Sequence, residues 1–172
     1  VEDAPVARVK VRDARPDDAD ALEGVRPGGA LHRDRIRDAD GRTMRYLMAE
    51  ADGEPVAFAC LVLGQPANWP QVRHTPQIID LYVREDMRGL GIGTAFIREI
   101  EDRALAAGFT VLHIAADPEA NPRACGLYGR LGYEPFYREP EPVSWEFVDS
   151  AGVRHGGVER VLHMVKVLGP LA

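Results

Sequence analysis

The sequence predicts a mixed α/β domain of about seven or eight strands and four helices. Three observations carry this. Asp52-Gly53 lies between two strand-like runs, and such a dipeptide suits the type I′ turn of a hairpin, where both central residues need positive φ. Ile78-Ile79-Asp80-Leu81-Tyr82-Val83 is a dense run of β-formers, and beyond it Ile92, Phe96 and Ile100 recur every four positions with charges opposite, the pattern of an amphipathic helix. From 77 to 138 the order reads strand, helix, strand, helix, strand.

Taken in chain order, Val6, Val9 and Val11 form a short strand-like run, and Asp17 or Asp18 can cap a short helix after Pro16. Gly24 to Gly29 is a break, and His32 to Arg42 holds a second short helix with a loop. Tyr46 to Glu50 and Pro55 to Leu63 are the hairpin strands, and Gly64 to Pro76 is a loop. In the run 78–83, strict alternation puts Leu81 and Val83 on the face of Ile79, and Asp80 and Tyr82 on that of Ile78. Gly108 ends the amphipathic helix, and Val111 to Ala115 is the next strand. Asn121-Pro122 opens a further helix, with Asn at the cap and Pro at the first position, running to Gly132 before a strand at Tyr133. Residues 138–142 are rich in Pro and Glu, and Ser144 to Asp149 and Val158 to Leu168 read as two last strands.

With 172 residues the chain reads as one domain, 1–172, with a core at 76–138 and C-terminal strands at 143–168. Its net charge of −6 argues against a general phosphate-backbone binder, so no nucleic-acid partner is expected. No stretch has the apolar length of a membrane span, and Val1-Glu2-Asp3 lacks the features of a signal peptide, so a cytoplasmic protein without a membrane partner is expected. Cys60 and Cys125 sit in apolar contexts without metal-ligand spacing. They read as buried free thiols, and no metal is expected.

The stretch that carries chemistry is Arg88-Gly89-Leu90-Gly91-Ile92-Gly93-Thr94, between a strand and a helix. Its glycines let the chain turn sharply and let a ligand approach amides at a helix start, where the dipole favours an anion such as a phosphate. A plain connecting turn is the alternative reading. A dinucleotide fold is another, and Asp117 after the next strand suits it. However, the glycines here run G-x-G-x-G, Arg84 to Arg88 separate them from the strand, and a long segment precedes the unit.

These residues resemble the GNAT superfamily of acyl-CoA-dependent N-acetyltransferases. Ile79 to Val83 followed by Arg88-x-x-Gly91-x-Gly93 is similar to that family's Q/R-x-x-G-x-G/A motif. Asn121, Ala124, Leu127-Tyr128 and Leu131-Gly132-Tyr133 resemble its N-x-x-A-x-x-L-Y-x-x-x-G-F/Y motif. The resemblance implies a mostly antiparallel mixed sheet of about seven strands with a splayed central pair, flanked by about four helices. It implies acetyl-CoA as cosubstrate, its pyrophosphate held by Arg88, Gly89, Leu90, Gly91, Ile92, Gly93 and Thr94. The pantetheine arm would pair like a strand with Leu81, Tyr82 and Val83, which needs a local bulge or divergence in the sheet. Asn121 would cap its helix or touch the cofactor, and the residues leave both readings open.

The implied reaction is direct attack by a primary amine of a small molecule or peptide on the thioester, with a backbone N–H near Tyr82 or Val83 stabilising the oxyanion. Tyr128 would be the leaving-group partner, donating a hydrogen bond to the forming thiolate. Asp80 is the best-placed base. An alkyl ammonium of pKa near 10.4 must be stripped of a proton at a cost of about 4.6 kcal/mol at pH 7. Glu50, His74, His113 and His163 are lesser candidates, and bulk water would suffice for an acceptor of low pKa. The acceptor pocket would come from 24–42, the Gly64 to Pro76 loop with Trp69, and 138–157. This last segment is also where a homodimer contact would fall. The second function class is an acyl-CoA-binding regulatory module without turnover.

Overall fold

The structure, a computed structural model, describes residues 8–64, 76–136, 138–148 and 151–169. Val6, Trp69 and His74 lie outside the described residues. Among the described residues the chain forms β1 (Lys10–Asp13), α1 (Ala19–Glu23), α2 (Leu31–Asp38), β2 (Met44–Ala51), β3 (Glu54–Val62) and β4 (Gln77–Val83). There follow α3 (Ile92–Ala106), β5 (Val111–Ala116), α4 (Pro122–Arg130), β6 (Glu134–Pro135), β7 (Glu141–Val148) and β8 (Arg154–Val167). The strands lie in the order β1-β2-β3-β4-β5-β8-β6, with β7 on β8, and every pairing is antiparallel except β4 with β5. This is the mixed, mostly antiparallel sheet with four helices that the sequence predicts.

The local expectations hold where turn chemistry is strong. Asp52 and Gly53 both take positive φ, 51° and 83°, between β2 and β3, as a type I′ turn requires. Residues of β2 alternate between two cores. Leu47 and Ala49 join Phe96, Ile97 and Ile100 of α3 on one face. On the other, Met44, Tyr46 and Met48 join Leu22 and Val25 from the α1 region, with Ile36 of α2 packed against them. Helices therefore cover both faces, and each fully buried Phe or Ile contributes roughly 1.5–3 kcal/mol of burial.

Three expectations are corrected. Asp18 does not cap α1 with its side chain; its carboxylate accepts the Arg15 N–H at 2.7 Å and pairs with Arg12 at 2.7 Å, closing a 3₁₀ turn over Pro16–Asp18 instead. Cys60 is buried, but Cys125 is only half-buried. The terminal hairpin is longer than its β-former content suggests, since β7 begins at Glu141 and includes Pro142. Proline is tolerated there because β7 pairs only with β8 and leaves its outer edge free of ladder bonds.

One buried polar contact ties the α1–α2 layer to the sheet. His32 Nε2 lies 2.8 Å from the Arg26 carbonyl and Nδ1 lies 2.8 Å from the Tyr46 hydroxyl. A carbonyl can only accept, so Nε2 carries the proton; in the neutral ring Nδ1 then accepts from the Tyr46 O–H. His32→Ala removes a fully buried ring and strands that hydroxyl. It is expected to lower stability by about 2–4 kcal/mol, read as a reduced urea midpoint.

Burial pushes the phenols of Tyr46, Tyr128 and Tyr133 upward. Folded values above the unfolded value of about 10 mean that this contribution to stability is fully present below about pH 10 and is lost as pH rises through the folded values. Unfolding free energy is expected to fall above about pH 10, with tyrosinate absorbance appearing together with loss of fold.

Candidate functional site

The site begins with a break in alternation. Ile78 packs with Leu81 and Val83 in the α3-side core, while Ile79 and Tyr82 pack against the α1–α2 core. This corrects the strict alternation expected for 78–83. Phe58 pairs with Tyr82 and Cys60 with Ile79, so Asp80 and Leu81 together oppose the single residue Ala59. Such a bulge flips the side-chain parity beyond it. Asp80 sits at the bulge with φ of 53°, unusual for a residue other than glycine. A conformation of this kind costs about 1–3 kcal/mol and is held by its surroundings.

Past the bulge β4 leaves its parallel neighbour. Only Gln77 with His113 and Ile78 with Ile114 are paired, whereas β5 continues along β8 as far as Ala116. Two cavities open at this splay. The larger, about 780 Å³, is lined by Leu81, Tyr82 and Val83, the glycine loop and α4. The smaller, about 250 Å³, is lined by Asp80, Ile114 to Asp117 and Glu159. Tyr128 and Asn121 line both.

The glycine loop has the backbone geometry that could hold an anion. Gly89 and Gly91 take φ of 84° and 78°, and Gly91 caps α3 in the left-handed conformation. From Gly89 through Thr94, no backbone N–H makes a well-formed hydrogen bond to a backbone acceptor among the described residues. A run of unsatisfied amides at a helix start is an anion cradle. Arg88, Gly89, Gly91, Ile92, Gly93 and Thr94 line the larger cavity, whereas Leu90 is exposed and does not. The Arg88 Nε donates to the Val83 carbonyl at 3.0 Å, and its guanidinium lies 5.0 Å from the centre of the Tyr82 ring.

On α4 the Asn121 side chain accepts the Ala124 N–H at 3.2 Å, so it is a helix cap, and its amide NH₂ is the group left for a ligand. Tyr128 is buried, and burial, with a smaller effect of Cys125, pushes its phenol up to about 12. Asp80 is held by Arg35 of α2, whose Nε and Nη2 reach the same carboxylate oxygen at 3.1 and 2.7 Å. Of the lesser candidates, Glu50 pairs with Arg12 at 2.6 Å on β2 and lines neither cavity. His113 and His163 form a stacked pair with Nε2 and Nδ1 2.9 Å apart, also outside both cavities.

Sequence reasoning missed Arg123 and Arg130, which line the larger cavity, and Glu159, which lines the smaller. Arg123, Leu127 and Arg130 fall at helical spacing on one face of α4, a signal that was present in the sequence. Glu159 had none, because only the path of β8 brings it to the splay.

This arrangement has clear relatives. A model of the acetyltransferase (GNAT) family matches residues 11–133. The chain belongs to the GNAT acetyltransferase family. An uncharacterized N-acetyltransferase of Methanocaldococcus jannaschii is 34 % identical to this GNAT chain over 102 residues, 57 % of this chain and 41 % of that protein. An L-methionine sulfoximine/L-methionine sulfone acetyltransferase of Pseudomonas aeruginosa is 41 % identical over 54 residues, 31 % of each chain. The matches thus cover well under half the length of these curated relatives. A Salmonella typhimurium structure solved with its cofactor acetyl-CoA shares the fold, with a TM-score of 0.65, 17 % identity and coverage of 96 % of both chains. Among the described residues no helix is long and apolar enough to cross a membrane.

Gly91→Val places a branched side chain at φ of 78° in the middle of the unsatisfied amides. It is expected to weaken acetyl-CoA binding at least tenfold by isothermal titration, with the circular dichroism unchanged. Wild-type affinity in a folded variant would rule out the cradle as the cofactor site.

Proposed function

We propose that this GNAT protein transfers an acetyl group from acetyl-CoA to a primary amine by direct attack in a ternary complex. The observation that carries the reading is the meeting of two features at Tyr128: the cleft with its unsatisfied amides, and the smaller cavity beside Asp80. Acetyl-CoA would supply an activated acetyl thioester, whose carbonyl carbon accepts the amine lone pair as the C–S bond breaks.

The protein's own residues then have separable tasks. The amides of residues 89–94 and the guanidinium groups of Arg88, Arg123 and Arg130 suit a polyanion and would anchor the pyrophosphate end. The open edge of β4 past Ile78 suits an extended diamide, which would add to Leu81, Tyr82 and Val83 like a strand and bring the thioester to Tyr128. Asp80 is the candidate to receive the amine's proton. One of its oxygens is taken by Arg35, so the other would do this, directly or through a water.

Tyr128 would stabilise the departing sulfur. With the phenol at about 12, against about 8.5 for an ordinary thiol, complete transfer of its proton would be uphill by roughly 5 kcal/mol. It would therefore act as a hydrogen-bond donor that stays protonated, and the thiolate would take its proton later from solvent or from the newly acetylated nitrogen, which must shed one after attack.

The name of the Pseudomonas relative points to amino-acid derivatives, so amines and amino acids both belong in a thiol-release assay. Tyr128→Phe is expected to lower kcat at least tenfold while acetyl-CoA affinity stays near wild type. Unchanged turnover would remove Tyr128 from the mechanism. Tight acetyl-CoA binding with no thiol release by any acceptor would leave a silent binding module instead.

A further inference from the structure

The terminal hairpin reaches past the sheet to which it belongs. The inner half of β8, Leu162 to Val167, pairs with β5, whose last partner is Ala116; the outer half, Arg154 to Val161, pairs with β7 alone. The result is a two-stranded ribbon rising beyond the end of β5, at the splay. Leu162 and Met164 pack into the α3-side core, so alternation turns Gly157, Glu159 and Val161 toward the opposite side of the sheet, the side of α1 and α2. The register adds their partners on β7: Trp145 faces Gly157, Val143 faces Glu159 and Glu141 faces Val161.

That face has an apolar floor and one charged end. A Cβ built on Gly157 would lie 3.0 Å from the Trp145 ring, so the indole lies flat over the glycine. Trp145 and Val143 are each 39 % exposed, which is high for side chains of their size on a sheet. Directly beside them Glu159 lines the smaller cavity together with Asp80 and Tyr128. The other carboxylates of that cavity are engaged: Asp80 with Arg35, and Asp117 with the amides of Glu119 and Ala120. Among the described residues the Glu159 carboxylate has no hydrogen-bond or ion-pair partner, and no Lys or Arg lines the cavity.

We infer that Glu159 is the specificity-determining residue for the acceptor, which is a cationic primary amine bearing an apolar or aromatic group and no carboxylate next to the amine. The ammonium enters the smaller cavity beside Glu159, and the apolar body lies along Val143 and Trp145. A carboxylate on the same carbon as the amine would be carried toward Glu159 and repelled. Arg35 offers it little compensation, because its charge is already matched by Asp80. The inference rests on the acetyltransfer proposed above.

Thiol release with acetyl-CoA tests it on three acceptors: 2-phenylethylamine, phenylalanine, which is the same skeleton with a carboxylate, and n-butylamine. For wild type, kcat/KM for 2-phenylethylamine is expected to exceed that for phenylalanine at least tenfold. Glu159→Gln, an exposed and nearly isosteric change, is expected to reduce that ratio at least fivefold, through KM of the amine, with acetyl-CoA affinity unchanged. Trp145→Ala should raise KM for 2-phenylethylamine and leave that for n-butylamine near wild type. Preference of wild type for phenylalanine, or a ratio unmoved by Glu159→Gln, would overturn the inference while leaving acetyltransfer standing. No thiol release by wild type with any acceptor would overturn both.

Discussion

Two residue pairs are all that join β4 to β5, and the separation that follows them is the constraint on which the rest of the molecule turns. A sheet that lets two central strands part gives up ladder hydrogen bonds in its interior, and those groups need another partner. Here the parting is enforced from within. The bulge opposite Ala59 shifts β4 by one residue, and Asp80 takes a left-handed conformation that most side chains avoid. Cores on both faces hold the bulge in place, because Ile78 and Leu81 are anchored on one side and Ile79 and Tyr82 on the other. The open edge is therefore a rigid feature rather than a frayed one.

Charge is arranged around the same opening. The chain is acidic as a whole, with a net charge of −6, yet Arg88, Arg123 and Arg130 line the larger cavity while the smaller one is lined by carboxylates and by no cation. Overall attraction would not bring a polyanion to such a protein, so the proposed capture would depend on short-range contacts to amides and guanidinium groups. The two sides of the splay thus have opposite electrostatic character within one continuous opening.

What the sequence made legible was chemistry confined to a few neighbouring residues. Asp52-Gly53, the sharp glycine turn before α3 and Asn121-Pro122 each encode their own backbone geometry, and each is found where expected. A bulge or divergence beside Leu81 was implied by the resemblance, but its exact place was not legible, since nothing in Ile79-Asp80-Leu81 marks an extra residue; it is visible only against Ala59 on the neighbouring strand. Position on the larger cavity was half legible, as Arg123 and Arg130 share a helical face with Leu127 but lack the distinctive glycines of the loop. Glu159 was invisible for a different reason. It comes near Asp80 only because β8 continues past β5, and the length of a strand beyond its neighbour is a property of the whole sheet.

The double allegiance of β8 also sets a rule for altering the protein. Its inner half is locked in register by the core around Met164, so the outer half inherits its facing from residues it does not touch. Inserting a single residue between the halves would turn Glu159 and Val161 to the far side of the ribbon, whereas inserting two, matched by two on β7, would lengthen the ribbon with its faces preserved. The ribbon can thus be extended or shortened only in even steps, like a ratchet, while the strands that form the splay stay untouched.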